Sequence, residues 1–270
     1  MAECSHNCET CGVENCSSRI ENAKLNDRSK IKKIICVLSG KGGVGKSYIT
    51  SLLAVYLNRQ GHKVGIMDAD ITGPSIPKAF GIKEQAYGED GLIYPLVSKG
   101  GIKIMSANCL LENESDPIVW RGPLLGGLIK QFYEDVLWEE LDYLLIDMPP
   151  GTGDVALTVF QQLPVDDLII VTSPQDLVSL IVTKAIKMAN MMNINVLGVI
   201  ENMSYLVCPD CGKKINVFGE SHLEDFAKEM NFRILAKLPL VSENTTLVDK
   251  GNVEKISLDE ILPAVEALTK

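Results

Sequence analysis

The chain has 270 residues, of which 46% are hydrophobic, 6% aromatic and 23% charged, and its formal net charge is -9. This content permits one substantial core, whether in one domain or in two. The negative charge disfavours nucleic acid or anionic membranes as partners, because their phosphates would be repelled. No run of about 18 uncharged apolar residues occurs, and the polar, Cys-rich start does not resemble a secretion signal. The sequence therefore predicts a cytoplasmic protein.

The amino-terminal segment, residues 1–30, is predicted to be a Cys-rich extension of one globular domain formed by residues 31–270. It has too little apolar surface to fold unaided. Its cysteines follow the spacing C-x3-C-x2-C-x4-C, formed by Cys4, Cys8, Cys11 and Cys16. Four thiolates from one chain are sufficient to hold an iron-sulfur cluster. Zinc binding and a loose metal-scavenging tail are the alternatives.

From Lys33 onward, apolar runs bounded by turn residues alternate with segments of helical periodicity. The apolar runs predict buried strands at 34–38, 64–67, 143–146, 168–172 and 196–200. Helices are predicted at 47–59, 124–138 and 174–192. A short hairpin is predicted within 87–107, with Gly100 and Gly101 at its turn. This alternation predicts an α/β fold with a doubly wound, mostly parallel sheet.

A glycine-rich loop between the first predicted strand and the first predicted helix satisfies the pattern G-x-x-x-x-G-K-[ST]. Its glycines allow backbone N–H groups to converge on phosphates, and the helix amino terminus adds a positive dipole end. The lysine would reach the outer phosphates, and the serine hydroxyl would ligate Mg²⁺. We therefore predict a nucleotide-binding site formed by Gly40, Lys41, Gly42, Gly43, Val44, Gly45, Lys46, Ser47 and Tyr48.

Carboxylates at the ends of two other predicted strands complete this site. Asp147 closes an apolar run, where a Walker B acid would hold the Mg²⁺ shell. The glycine-rich turn that follows, residues 149–154, is interpreted as a switch in which a backbone N–H near Gly151 senses the terminal phosphate. Asp70 is predicted to position the attacking water. In the alternative interpretation, Asp68 or Asp70 only caps the following turn.

A second cysteine motif, C-P-D-C-G, places two thiolates, Cys208 and Cys211, on one tight turn. Two thiolates are half of a four-thiolate site, and a two-fold axis would bring two such pairs together. A zinc site completed by other cysteines or a histidine of the same chain is the alternative. His222 is not predicted to be a ligand. Cys36 and Cys109 are predicted to be small buried hydrophobes.

The lysine after the first glycine of the loop, Lys41, gives the form K-G-G-x-G-K-[ST], and with it the chain resembles the deviant Walker A ATPases. That group includes MinD and ParA partition proteins and the nitrogenase iron protein. Within the group, residues 33 to about 250 are similar to the Mrp/ApbC/Nbp branch of iron-sulfur cluster carriers. The stretches that carry this resemblance are 40–47, 68–75, 147–154, 201–204 and 208–211.

The resemblance implies an ATPase that assembles a [4Fe-4S] cluster and transfers it to apoproteins, together with cluster assembly proteins. It implies a homodimer in which Lys41 reaches the partner's nucleotide and Cys208 and Cys211 of both copies hold one bridging cluster. It also implies that Asn202 reads the adenine edge and that the loop at Pro239 lies against the base. Lys41, Lys46, Asp70 and Asp147 are the expected catalytic residues.

Two other functions remain open from the sequence. One is a nucleotide-gated electron-transfer reductase that resembles the nitrogenase iron protein. The other is a partition or positioning ATPase with a structural zinc. The spacing of Cys208 and Cys211, together with the amino-terminal cysteines, favours a carrier. The acidic stretch 256–270 has the wrong charge for binding a membrane or DNA.

Overall fold

The computed structural model describes residues 22–71, 73, 75–110, 122–174 and 178–270. Its strands are β1 (Lys30–Ser39), β2 (Val64–Asp68), β3 (Tyr87–Glu89), β4 (Leu92–Tyr94), β5 (Leu96–Val97), β6 (Lys103–Ser106), β7 (Glu140–Asp147), β8 (Asp167–Thr172), β9 (Asn195–Val207), β10 (Lys214–Ile215) and β11 (Ile234–Pro239). Its α-helices are α1 (Lys46–Arg59), α2 (Ile76–Ala79), α3 (Gly122–Glu134), α4 (Asp154–Gln162), α5 (Val178–Met191), α6 (Leu223–Met230), α7 (Ser242–Asp249) and α8 (Leu262–Thr269). Cys4, Cys8, Cys11, Cys16, Thr72 and Pro74 lie outside the described residues.

A nine-stranded sheet forms the centre of the described part, in the order β10-β9-β8-β1-β7-β2-β6-β5, with β11 also paired to β9. The pairs among β1, β2, β6, β7, β8, β9 and β11 are parallel, whereas β5 and β10 run antiparallel to their neighbours. This arrangement confirms the predicted α/β fold. It also places the carboxyl ends of β1, β2 and β7 side by side, at the edge where ligands bind in such sheets.

The central strand β1 is buried on both faces, so its alternating side chains enter two separate cores. Ile35 and Val37 pack in the core that includes α1 and α8, whereas Cys36 and Leu38 pack in the core that includes α3, α4 and α5. Cys36 is fully buried, which raises the pKa of its thiol. Cys109 is also buried. The prediction that these two cysteines are small core residues is confirmed.

Three predicted elements differ from the observed ones. The predicted hairpin at 87–107 is two hairpins, β3–β4 and β5–β6, and only the second has Gly100 and Gly101 at its turn. The predicted helix at 124–138 ends at Glu134, because the next residues bond to β4 through Ile93 instead of continuing the helix. The strand predicted at 196–200 extends to Val207, since it continues beyond the parallel sheet into a hairpin with β10.

The residues just before β1 pack against the sheet domain. The Ala23 N–H donates to the Gln162 carbonyl at 2.8 Å, and the Asn26 amide donates to the carbonyls of Glu134 and Val136 at 2.8 and 3.0 Å. Ala23 is buried. Within the described ranges, no helix has the length and apolar character needed to cross a membrane.

Candidate nucleotide and metal site

The glycine-rich loop connects β1 to α1 across the carboxyl edge of the sheet. Gly43 and Gly45 both have φ of 82°, in the left-handed region that favours glycine. Gly45 is the N-cap residue of α1, and no side chain of the described residues caps the amino end of this helix. The first N–H groups of a helix lack intrahelical partners and carry the positive end of its dipole. The loop and helix therefore have the geometry of a phosphate-binding site.

Asn202 on β9 lies against this loop. Its side-chain amide donates to the Val44 carbonyl at 3.0 Å, and Asn202 is buried. A Cβ atom added at Gly45 would lie 2.3 Å from the Asn202 amide nitrogen. The backbone angle at Gly45 therefore favours glycine, and a larger residue would also have to displace the Asn202 side-chain amide.

Lys46 and Asp147 form a buried ion pair beneath the loop, with 2.6 Å between Nζ and Oδ2. The same carboxylate accepts hydrogen bonds from Ser47 at 2.5 Å and from Thr50 at 2.6 Å. Ser47 and Asp147 are thus close enough to place two oxygen atoms on one cation, and oxygen ligands are those that Mg²⁺ prefers. Sequence reasoning missed Thr50, whose position one helical turn after Lys46 is the only signal for its role.

Two more carboxylates lie near Lys46, both at the end of β2. Asp68 is the register partner of Asp147 on β7 and is fully buried. Burial, followed by repulsion from Asp147 and Asp70, raises the pKa of Asp68 to about 8 although Lys46 and Ser106 oppose the shift. Asp70 is mostly buried, with its Oδ2 at 3.7 Å from the Lys46 Nζ. One buried lysine therefore lies among three aspartates, of which Asp68 keeps its proton at pH values below its raised pKa.

The two aspartates of this strand end have different local roles. The Asp68 Oδ1 accepts the Asp70 backbone N–H at 3.1 Å, so Asp68 caps the following turn. Asp68 also accepts a hydrogen bond from Ser106 on β6 at 3.1 Å. The turn-capping interpretation therefore applies to Asp68, and the Asp70 carboxylate remains beside Lys46.

The predicted switch loop packs directly on the strand that carries the phosphate loop. The Met148 N–H donates to the Val37 carbonyl at 3.0 Å, and the Gly151 N–H donates to the Ser39 carbonyl at 2.7 Å. Gly151 has φ of 92°. Its amide is therefore occupied in this structure, and contact with a terminal phosphate would require this bond to open or another amide of the loop to serve.

Of the other residues predicted to contact nucleotide, Lys41 lies in the glycine-rich loop, Tyr48 on α1 and Pro239 at the end of β11. Tyr48 accepts a hydrogen bond from the Asn244 side chain at 3.1 Å, and burial raises the pKa of Tyr48 to about 12. Pro239 is buried at the end of β11, beside Tyr205 of β9. The Lys41 carbonyl accepts a hydrogen bond from Ser39 at 3.1 Å.

Cys208 and Cys211 lie on a tight turn between β9 and β10. The Cys208 N–H donates to the Lys213 carbonyl and the Gly212 N–H donates to the Cys208 carbonyl, both at 2.9 Å. Gly212 has φ of 69°. The backbone N–H groups of Cys211 and Asp210 point at the Cys208 sulfur and lower its pKa, which favours a thiolate ligand. Cys211 is exposed.

The hairpin that carries this turn exposes apolar side chains beside charged ones such as Lys213 and Lys214. Four large side chains near the two cysteines are between 41% and 47% exposed, namely Val207, Ile215, Val217 and Phe218. In the described ranges no group of three or more His, Cys, Asp or Glu residues could hold a metal ion. Cys208 and Cys211 therefore have no third such residue beside them in these ranges, and His222, which is exposed, does not join them.

These features define a P-loop nucleotide-binding protein. They are a mostly parallel sheet, a glycine-rich loop before α1, and an aspartate of β7 that pairs with the loop lysine. Residues 30–269 match the family model described as ParA, NUBPL iron-transfer P-loop NTPase. The chain therefore belongs to this family of iron-transfer P-loop NTPases, as the sequence resemblance implied.

Individual relatives are similar over most of their length. The iron-sulfur cluster carrier protein of Methanocaldococcus jannaschii is 48% identical over 260 residues, which cover 93% of this chain and 90% of that protein. The protein of the same name from Clostridium perfringens is 46% identical, with 89% and 87% covered. The cytosolic Fe-S cluster assembly factor CFD1 of Chaetomium globosum is 43% identical, with 83% and 79% covered.

Solved structures agree with this assignment. The nucleotide-binding protein of Archaeoglobus fulgidus, solved with ADP and with cobalt, has a TM-score of 0.77 at 44% identity, with 85% of this chain and 90% of that chain covered. The MinC–MinD complex of Aquifex aeolicus has a TM-score of 0.64 at 20% identity, with 88% and 95% covered, and supports the fold alone.

Proposed function

We propose that this protein is an ATP-hydrolysing carrier that assembles a [4Fe-4S] cluster and transfers it to apoproteins in the cytoplasm. The observation that carries the proposal is the course of β9, which touches the phosphate loop through Asn202 and ends beside the Cys208/Cys211 pair. The names of the relatives favour a cluster carrier over an electron-transfer reductase or a partition ATPase.

The nucleotide site supports binding of ATP with Mg²⁺. Mg²⁺ would be held by Ser47 and, within its shell, by Asp147, and it would neutralise charge on the phosphates. Lys46 would then exchange its contact with Asp147 for the outer phosphates. Asp70, 3.7 Å from Lys46, would orient the attacking water. Asn202 and Pro239 would contact the base.

The cluster is the cargo, and the exposed cysteine turn is its proposed site. Cys208 and Cys211 of one chain supply two thiolates, and the same pair of a second copy would supply the other two. The apolar side chains around the turn would be buried in that contact. Lys41 would reach the partner's nucleotide in the same homodimer. Cys4, Cys8, Cys11 and Cys16 are proposed to hold a second cluster.

The test is metal analysis of protein purified and reconstituted without oxygen. Iron and acid-labile sulfide per chain are measured for wild type, for Cys208→Ala/Cys211→Ala, and for Cys109→Ala, which changes a buried cysteine away from the turn. We expect matching iron and sulfide that fall in the double variant and persist in Cys109→Ala. Stoichiometric zinc without sulfide, after reconstitution with iron and sulfide has failed, would contradict the proposal.

A further inference from the structure

Strand β9 contains a bulge at the point where it meets the phosphate loop. Lys237 of β11 is the register partner of Glu201, and Pro239, two residues further along β11, is the partner of Tyr205, four residues further along β9. The additional residues include Asn202 and Met203, and Met203 has φ of 57°, a left-handed conformation that is uncommon for a non-glycine residue. This bulge directs Asn202 to the Val44 carbonyl. Bulges next to active sites commonly reorient a side chain in this way.

The buried carboxylate of Glu201 stabilises the bulge through a hydrogen bond and an ion pair. Its side chain is 2% exposed, and its Oε2 accepts a hydrogen bond from Ser204, which belongs to the bulge. The Lys237 ammonium lies 3.7 Å from the same oxygen. A buried carboxylate requires such partners, because leaving the charge unpaired would be strongly unfavourable.

The same carboxylate also holds the far end of the cysteine hairpin, which we define as residues 205–221. Ser221 donates to the Glu201 Oε1 at 2.6 Å and accepts a hydrogen bond from Lys237 at 3.2 Å. The near end of the hairpin follows directly from the bulge in β9. Both ends of the segment that carries Cys208 and Cys211 therefore meet at Glu201.

We propose that Glu201 is a positioning residue that links the cysteine hairpin to the phosphate loop, so that occupation of the nucleotide site changes the exposure of Cys208 and Cys211. The inference rests on the proposed function, because it assumes that nucleotide binds at the loop. A nucleotide that displaces Val44 or Asn202 shifts the bulge. Through Ser204 and Ser221 this shift reaches both ends of the hairpin.

The test is alkylation of metal-free protein by N-ethylmaleimide, without oxygen and at fixed pH, with and without saturating Mg²⁺-ADP or a non-hydrolysable ATP analogue. The rate at Cys208 and Cys211 is read by mass spectrometry of the tryptic peptide that ends at Lys213. For wild type we expect the alkylation rates with and without nucleotide to differ about fivefold or more, which is the lower end of the usual coupling between two sites.

Two variants and a matched control isolate the role of Glu201. Glu201→Gln removes the buried charge, whereas Ser221→Ala keeps that charge and removes the hydroxyl that bonds to Glu201, Lys237 and the Leu223 N–H. Ser221→Ala therefore decides if Glu201→Gln fails to fold. Both variants are expected to lose the difference in rate, and Ser221→Ala, which lies away from the phosphate loop in sequence, is expected to bind nucleotide with wild-type affinity. The control Glu224→Gln breaks the half-exposed ion pair with Lys237. This variant is expected to keep the wild-type difference in alkylation rate.

The outcomes separate the inference from the proposed function. If wild type binds nucleotide but its thiol rates do not change, or if folded Ser221→Ala keeps the wild-type ratio, the inference is wrong and the carrier proposal is unaffected. If wild type fails to bind nucleotide in a direct binding measurement, the proposed function fails and the inference fails with it.

Discussion

The Lys46 ammonium lies 2.6 Å from the Asp147 carboxylate. The lysine that would bind the outer phosphates is therefore paired with the acid that would bind Mg²⁺. The Ser47 hydroxyl donates to the same oxygen at 2.5 Å. Binding of nucleotide with Mg²⁺ would separate this pair, since both partners exchange each other for the ligand. The lysine and the acid are therefore paired with each other before the ligand arrives.

Asp147→Asn is expected to reduce ATP hydrolysis about 100-fold or more, a loss typical of removing one electrostatic contact to a reacting group. The amide keeps the shape of the carboxylate but loses the charge that would hold Mg²⁺. Phosphate release at saturating Mg²⁺-ATP is the measurement. Asp142→Asn is the control, since Asp142 lies on the same strand but pairs with the exposed Lys32. Equal rates for wild type and Asp147→Asn would contradict the assignment.

Gly45→Ala is expected to destabilise the protein by about 1–2 kcal/mol or more, because alanine would adopt a left-handed conformation at φ of 82°. Its Cβ would also press on Asn202. Thermal unfolding without ligands is the measurement. Gly42→Ala is the control in the same loop, since a Cβ at Gly42 would meet no atom of the described residues within 4 Å. A Gly45→Ala variant as stable as Gly42→Ala would contradict the observed loop geometry.

The raised pKa of Asp68 predicts how the stability of the protein depends on pH when neither metal nor nucleotide is bound. Burial raises its pKa from 3.8 to about 8 in the folded state. Between these values the folded chain keeps a proton that the unfolded chain releases, so stability falls as pH rises, by up to about 1.4 kcal/mol per pH unit. The fall is complete above the folded pKa.

An asparagine side chain cannot ionise, so Asp68→Asn is expected to lack this fall in stability. Thermal unfolding should therefore show the stability of the variant rising relative to that of wild type between pH 5 and pH 8. At pH near 4 the two proteins should differ least. Parallel curves for wild type and Asp68→Asn across this range would show that Asp68 is ionised in the folded protein. Asp142→Asn serves again as control, since the pKa of Asp142 is lowered by its hydrogen bonds to Lys32 and Lys63.

Phe218→Ser is expected to weaken the proposed cluster-loaded homodimer about tenfold or more, because a large apolar side chain would no longer be buried in it. Phe218 is 41% exposed near the cysteine turn. Sedimentation of the loaded protein over a range of concentrations is the measurement. The control is Met191→Ser, which removes another exposed apolar side chain, on α5. An unchanged dimer in Phe218→Ser would place the contact between copies elsewhere.

The parts of the site that sequence could predict are local. Glycines and a lysine at fixed spacing define the phosphate loop, and C-P-D-C-G defines a tight turn, because both depend on backbone geometry within a few residues. The distinction between Asp68 and Asp70 was not predictable, since it depends on the register of β2 against β7 and β6. The bulge at Met203 and the bond from Ser221 to Glu201 likewise depend on pairing between distant segments.

The most direct measurement of the central claim is transfer of a cluster to an apoprotein. Reconstituted wild type is mixed without oxygen with an apo [4Fe-4S] enzyme and an iron chelator, and recovery of the acceptor's activity is followed together with iron and sulfide remaining on the carrier. We predict recovery in proportion to the iron and sulfide lost by the carrier, and little recovery with Cys208→Ala/Cys211→Ala. Equal recovery with the double variant, or none with cluster-loaded wild type, would contradict the account.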